Sequence, residues 1–126
     1  VTREKMRIEF NEEKKVITIS TPGKNTVEIS DDDKHIKLTD QNKNEIVMNS
    51  SGISLSSAKD ITLKAKGAIT IEATSKINAT AKQDVSLEGL NVKMEAKVSA
   101  TVKGNAKAEL LASGQTTVKG AMVMIN

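Results

Sequence analysis

The second half of the chain alternates apolar and polar residues, and this alternation itself repeats every eight residues. From Ile53, apolar or small residues fall in triplets spaced i, i+2 and i+4, and the next triplet begins eight residues later at Ile61. The intervening positions are mainly Ser, Thr, Lys, Glu and Asn. A period of two is typical of a strand with one buried face. The pattern therefore predicts a series of short β-strands, one in each eight-residue repeat, or octad.

The octads keep one register up to residue 89 and a second register after it. Before the shift the triplets begin at Ile53, Ile61, Ile69, Ile77 and Val85, and after it at Val92, Ala100, Ala108 and Thr116. Ser57 and Thr116 are the polar members of these triplets. A slip of one residue would turn every later side chain to the opposite face. We therefore predict a shortened turn at Gly89-Leu90 that keeps the apolar set facing inward.

A helix is the alternative for part of this region, because Lys97 to Ser113 is rich in Ala, Lys, Glu and Leu, which are good helix formers. From Val92 to Met124, however, nearly every even position is apolar or small. A helix would spread these residues around its whole surface instead of gathering them in one stripe. The periodicity favours strands.

Residues 7 to 52 show a looser form of the same pattern. Apolar i, i+2 pairs recur every nine or ten residues: Ile8/Phe10, Ile17/Ile19, Val27/Ile29, Ile36/Leu38 and Ile46/Met48. Segments rich in Asn, Asp, Gly, Pro and Lys separate them and are typical of turns. We predict that residues 1–52 are looser strands with longer loops and that residues 53–126 are the regular octads. Because the first residue is Val1 and not Met, we expect a fragment of a longer protein.

The composition narrows the fold to one with a thin core. Phe10 is the only aromatic residue and there is no cysteine, so neither a bulky aromatic core nor a disulfide is available. No apolar run approaches the ~20 residues of a membrane helix. The net charge of +3 is small and Lys is interspersed with Glu, which favours a solvated surface over attraction to an anionic partner.

Eight residues are too few to enclose a core alone. An octad spans about 26 Å at ~3.3 Å per residue, whereas facing sheets pack ~10 Å apart. Three octads could form the sides of a triangular prism, supplied either by one chain or by three intertwined chains. The single-chain version would leave strand edges open, so the length of the repeat favours three chains.

Several segments resemble the C-terminal β-helix of the VgrG spike proteins of type VI secretion, which is similar to the central spike of contractile-tailed phages. They are residues 40–53 (DQNKNEIVMNSSGI), residues 59–67 (KDITLKAKG), the run of octads and the ending VKGAMVMIN at residues 118–126. The resemblance covers essentially the whole chain and is clearest over residues 40–126. It implies an all-β fold, an intertwined homotrimeric triangular β-helix, or β-prism.

The resemblance also implies partners and a location. Such a spike is assembled in the bacterial cytoplasm, is mounted on an inner tube through upstream domains, and is driven through a target membrane. Its blunt end carries a conical PAAR-repeat protein or an effector. The rival interpretation is the stalk of a trimeric surface adhesin, in which the same rod would hold a binding head outward.

No set of residues in the sequence indicates catalysis or a cofactor. His35 is the only histidine, so one chain cannot form a Ser-His-Asp triad or a multi-histidine metal site. We expect His35 to be an exposed loop residue at the start of a strand; ion binding by three copies on a trimer axis is the alternative. Asp31-Asp32-Asp33 lacks the ligand spacing of a calcium loop. Phosphate-binding glycine motifs and stacking aromatics are absent from the sequence, so we predict no enzyme, no metal and no nucleic-acid partner.

The last residues depart from the alternation. Met122, Val123, Met124 and Ile125 are four consecutive apolar residues, which places apolar side chains on both faces of a strand. They fit either a hydrophobic plug or a platform that docks a partner. We predict that they form the partner-binding tip.

Overall fold

The computed structural model describes residues 1–125, and within them it contains six β-strands and no helix. The strands are β1 (Arg7–Asn11), β2 (Val16–Ser20), β3 (Thr26–Ser30), β4 (His35–Thr39), β5 (Glu45–Asn49) and β6 (Gly52–Ser56). Each of the five predicted i, i+2 apolar pairs lies in one of the strands β1 to β5. The predicted all-β class and the strands of residues 7–52 are confirmed.

The six strands form one antiparallel sheet in the order β1-β2-β3-β4-β5-β6, so every strand pairs with its neighbours in sequence. The register places apolar residues opposite apolar residues: Phe10 pairs with Ile17, and Ile17 pairs with Ile29. Glu28 pairs in the same way with Lys37 on the other face. Because cross-strand partners share a face, the sheet has one apolar and one polar surface.

Each of the first five turns contains a lysine in the left-handed backbone region. They are Lys5, Lys15, Lys24, Lys34 and Lys43, with φ between 49° and 68°. In every case the lysine N–H donates to the carbonyl three residues earlier, for example Lys24 to Thr21 at 2.9 Å. Pro22 follows Thr21, where its fixed φ suits the first central position of such a turn. The turns are therefore built on a common plan.

This common plan has a repeat of 19 residues, because β1, β3 and β5 begin at Arg7, Thr26 and Glu45. The side chains that close the turns repeat at the same interval. Thr21 Oγ1 accepts the backbone N–H of Asn25, and 19 residues later Asp40 Oδ1 accepts that of Asn44. Two hairpins with slightly different turns thus make one structural repeat, which the spacing of nine or ten residues had concealed.

Residues 57–125 contain no strand paired within the chain. Their backbone bends at a spacing of eight residues, at positions 58–59, 66–67, 74–75 and 82–83, and then, after a single bend at residue 90, at 97–98, 105–106 and 113–114. By backbone contacts the chain divides into two units between Glu72 and Ala73. None of the described residues belongs to a helix that could span a membrane.

Candidate assembly surface and tip

The candidate assembly surface is the apolar face of the sheet. Alternation along each strand and the pairing between strands bring twelve apolar side chains to this face. They are Ile8, Phe10, Ile17, Ile19, Val27, Ile29, Ile36, Leu38, Ile46, Met48, Ile53 and Leu55. We call this set the apolar face.

Nothing in the described chain covers the apolar face. No apolar side chain of residues 1–125 is buried, and Phe10 and Ile53 remain 71% and 78% exposed. Even Leu38, which has paired strands on both sides, is 37% exposed. A sheet normally buries its apolar face against a second layer, and a continuous apolar patch of this kind marks an interaction surface.

The total accessible surface leads to the same conclusion. It is 13000 Å², whereas a compact monomer of this mass would expose about 6,500 Å². The isolated chain therefore leaves about twice as much surface in water as a folded monomer of its size. A chain with this much exposed apolar surface requires partners to complete its core.

The octads present the same problem in the second half of the chain. Ile61, Ile69 and Ile77, which begin successive triplets, are all more than half exposed. The intervening charged residues share a side with each other, since Lys93 pairs with Glu95 at 2.5 Å and Lys107 pairs with Glu109. Ion pairs between residues i and i+2 are expected where alternate side chains point the same way.

The polar face holds the sole histidine. His35 is the first residue of β4, as predicted, but it is not an exposed loop residue: its side chain is 19% exposed, and its Nε2 lies 2.6 Å from Glu28 Oε1. The prediction of an exposed histidine is wrong because Glu28 on β3 packs beside it. Asp33 lies in an exposed turn, as predicted for Asp31-Asp32-Asp33.

The four residues predicted to form the tip are all exposed. Met122, Val123, Met124 and Ile125 are 79%, 50%, 80% and 91% exposed. The apolar group thus lies open to solvent within the described residues, while the last residue, Asn126, lies outside them. Exposure is what a docking platform needs, and the role of the tip stays a prediction.

Comparison with known proteins gives the exposed apolar surface a meaning. Residues 16–126 match the model of the phage baseplate V C-terminal trimerisation domain. The chain belongs to this family. The match begins at the first residue of β2 and includes all the octads and the predicted tip. No curated protein matches the chain.

Membership of the baseplate V trimerisation family is consistent with the resemblance to VgrG and phage spikes. The family is a structural trimerisation domain of a baseplate spike and not an enzyme family, which supports homotrimer formation and a spike-like structural role. It also indicates a bacterial or phage-related structural protein that is secreted or injected. The exposed apolar face is the surface that such an assembly can bury.

Proposed function

We infer that the chain is the shaft of a membrane-puncturing spike in a type VI secretion system or a related contractile injection machine. One observation carries this inference: a twelve-residue apolar face without a second layer, in a chain that belongs to a baseplate trimerisation family. Three copies can bury their apolar faces against one another around a common axis. The baseplate family favours the spike over the adhesin stalk.

In this assembly residues 7–56 of each chain supply one complete side of a triangular prism. The reason is that β1 to β6 satisfy their ladder hydrogen bonds within the same chain. The polar face, with Glu28, His35 and Lys37, then points to solvent. The apolar face, with Phe10 and Ile17, then points to the axis, where side chains from three chains form a thin core.

The octads of residues 57–125 assemble differently in our proposal. They find no ladder partner within their own chain, and an unpaired strand edge exposes backbone N–H and C=O groups that readily pair with another chain. The bends at eight-residue intervals fit a chain that turns to the next side of the prism after each octad. Each octad would then pair with octads of the other two chains, which intertwines them.

The function of such a shaft is mechanical. Interchain backbone hydrogen bonds and a core without water make the rod hard to bend, and unfolding must separate three chains at once. The contraction of the machine supplies the force, and the shaft transmits it to the target membrane. At the other end, the tip residues Met122, Val123, Met124 and Ile125 dock a PAAR-repeat protein or an effector.

The direct experiment is the mass of the native protein by light scattering. We expect about three times the chain mass of 13.5 kDa, at all concentrations that can be measured and in the presence of mild detergent. A monomer under native conditions would contradict the proposal, because the apolar face would then be stable in water without a partner. A dimer would contradict the triangular arrangement.

A further inference from the structure

Three metal-ligating side chains meet on the polar face of the sheet, away from the apolar face. They are Glu28 on β3, His35 on β4 and Asp33 in the turn between these strands. One ligand atom from each lies within 4.8 Å of the other two. We propose that this cluster binds a divalent transition-metal ion such as Zn²⁺, with water completing its coordination.

The ligand set favours zinc over calcium or magnesium. An imidazole nitrogen with two carboxylate oxygens is a combination that zinc accepts, whereas calcium takes six to eight oxygen ligands. Zn–N and Zn–O bonds are ~2.0–2.2 Å long, which places neighbouring ligand atoms about 3.4 Å apart in a tetrahedral site. Glu28 and His35 are now 2.6 Å apart, so small side-chain rotations suffice to open that pair and bring Asp33 closer.

Ser30 holds one of the three ligands in place. It is 3% exposed and is the buried residue of the described chain. Its hydroxyl accepts the backbone N–H of Asp33 at 3.0 Å and donates to Asp33 Oδ2 at 3.3 Å. Hydrogen bonds of this kind orient metal-ligating carboxylates, so Ser30 is a positioning residue for the site.

The surrounding charges leave the cluster open to a cation. Lys37 pairs directly across from Glu28 in the sheet, yet its Nζ lies 2.8 Å from Glu45 Oε1 and is therefore directed to the next strand. Lys14 lines the same shallow groove as Glu28 and Asp33. Its charge opposes cation binding, so we expect moderate affinity.

The 19-residue repeat shows that the cluster is specific to one position. In the preceding repeat the residues equivalent to Glu28, Asp33 and His35 are Glu9, Lys14 and Val16. That position keeps one carboxylate, but a cation and an apolar side chain replace the other two ligands. The chain thus carries its own control, a site with the same backbone plan that cannot bind the metal.

The test is a calorimetric titration of the assembled protein, without a purification tag, with Zn²⁺. We expect one Zn²⁺ per chain, and an affinity that falls at least about tenfold with Glu28→Gln, Asp33→Asn or His35→Ala and about tenfold with Ser30→Ala. The matched controls Glu9→Gln and Asp32→Asn should bind like the unmodified protein. Ca²⁺ should bind much more weakly than Zn²⁺.

Because His35 is the only histidine, nuclear magnetic resonance of its ring reads the site directly, even if a variant of His35 fails to assemble. Zn²⁺ should shift the Nε2 resonance of the unmodified protein, and Asp33→Asn should require more Zn²⁺ for the same shift. The proposal is overturned if the ring resonance does not respond. It is also overturned if Asp32→Asn weakens binding as much as Asp33→Asn, or if Ca²⁺ binds as tightly as Zn²⁺.

Discussion

Asn44 Oδ1 accepts two hydrogen bonds from the residues that follow β6, one from the Ser57 hydroxyl at 2.9 Å and one from the Ala58 backbone N–H at 3.0 Å. Nineteen residues earlier, Asn25 Oδ1 accepts the backbone N–H of Gln41 at 3.0 Å. At one edge of the sheet, each turn is therefore tied to the next by the side chain of an asparagine. The second of these ties joins the sheet to the start of the octads.

This tie also explains the polar residue in the first octad triplet. Ser57 occupies a position at which the pattern predicts an apolar side chain, but its hydroxyl donates to Asn44 and lies 3.2 Å from the carbonyl of Asp60. A hydroxyl at the entrance to the octads has partners that an apolar side chain would leave unsatisfied. The exception is thus a structural requirement of the junction.

The first prediction concerns this junction. Asn44→Ala removes both hydrogen bonds and should lower the free energy of unfolding by about 1–2 kcal/mol per chain, whereas Ser57→Ala removes one and should cost about half as much. Thermal or denaturant unfolding measures the difference, and hydrogen exchange should be faster at the Ala58 amide in Asn44→Ala alone. Ser56→Ala, one residue away on an exposed strand position, is the control and should change little. Equal unfolding of all three variants would contradict the tie.

The N-terminal sheet was largely predictable from the sequence, because its strands are separated by turns with strong local signals. Pairs such as Ile17/Ile19 lie where predicted. The 19-residue repeat was also available in the sequence, in Thr21-Lys24-Asn25 and Asp40-Lys43-Asn44, but attention to single strands missed it. The pairing of Glu28 with His35 was not predictable, since it depends on the register between two strands and on which way each side chain turns.

The second prediction concerns pH and the turn after β4. The Asn44 backbone N–H, which donates to Asp40, holds the pKa of Asp40 below its usual value of 3.8; partial desolvation opposes this shift, and the Asn42 N–H and the side-chain amides of both asparagines reinforce it. A carboxyl whose pKa is lower in the folded state stabilises the fold at pH values above the unfolded pKa, and this contribution is lost as the pH falls through the folded pKa.

Asp40→Thr is the matched variant, because Thr21 closes the equivalent turn 19 residues earlier with an uncharged hydroxyl. The melting temperature of the unmodified protein should fall relative to that of Asp40→Thr as the pH is lowered from about 6 to about 2. Thermal unfolding at a series of pH values measures this difference. If the difference stays constant over the whole range, the Asp40 carboxylate is not the group responsible.

The third prediction concerns the two sides of an octad. In the proposed prism Ile69 and Ile71 face the axis, so replacing either with Asp would bring three desolvated and mutually repelling carboxylates together. We expect loss of the trimer at neutral pH by light scattering. Thr70→Lys and Glu72→Lys change solvent-facing positions and should leave the trimer intact. If both kinds of variant assemble equally well, the inward and outward assignment is wrong.

The octads show where sequence reasoning and a single chain both reach their limit. The alternation beginning at Ile53 predicts strands, and the backbone bends of residues 57–125 follow the same spacing of eight residues. A strand, however, is stable only when its backbone groups have partners, and our proposal places those partners in other chains. The inward side chains, such as Ile69, gain their burial in the same step. Pairing and core formation in this region are therefore properties of the assembly.

The last prediction concerns the tip, where the spike would meet its partner. In the proposed trimer no octad stacks on the final strands, so their edges and the side chains of Met122, Val123, Met124 and Ile125 are open and repeated three times. A small conical PAAR-repeat protein could cover both the strand edges and the apolar triangle. Such binding would rest mainly on burial of apolar surface, at roughly 25 cal/mol per Å², so added salt should weaken it little.

Deletion of residues 122–126 should therefore abolish binding of a cognate PAAR-repeat protein and leave the trimer assembled, because the earlier octads keep their neighbours. A pull-down with the intact and the shortened protein measures capture, and light scattering of both confirms that the trimer is present. Lys119→Gln, which removes a charge just before the tip, is the control and should not reduce capture. Equal capture by the intact and shortened proteins would mean that the four apolar residues only plug the end of the prism.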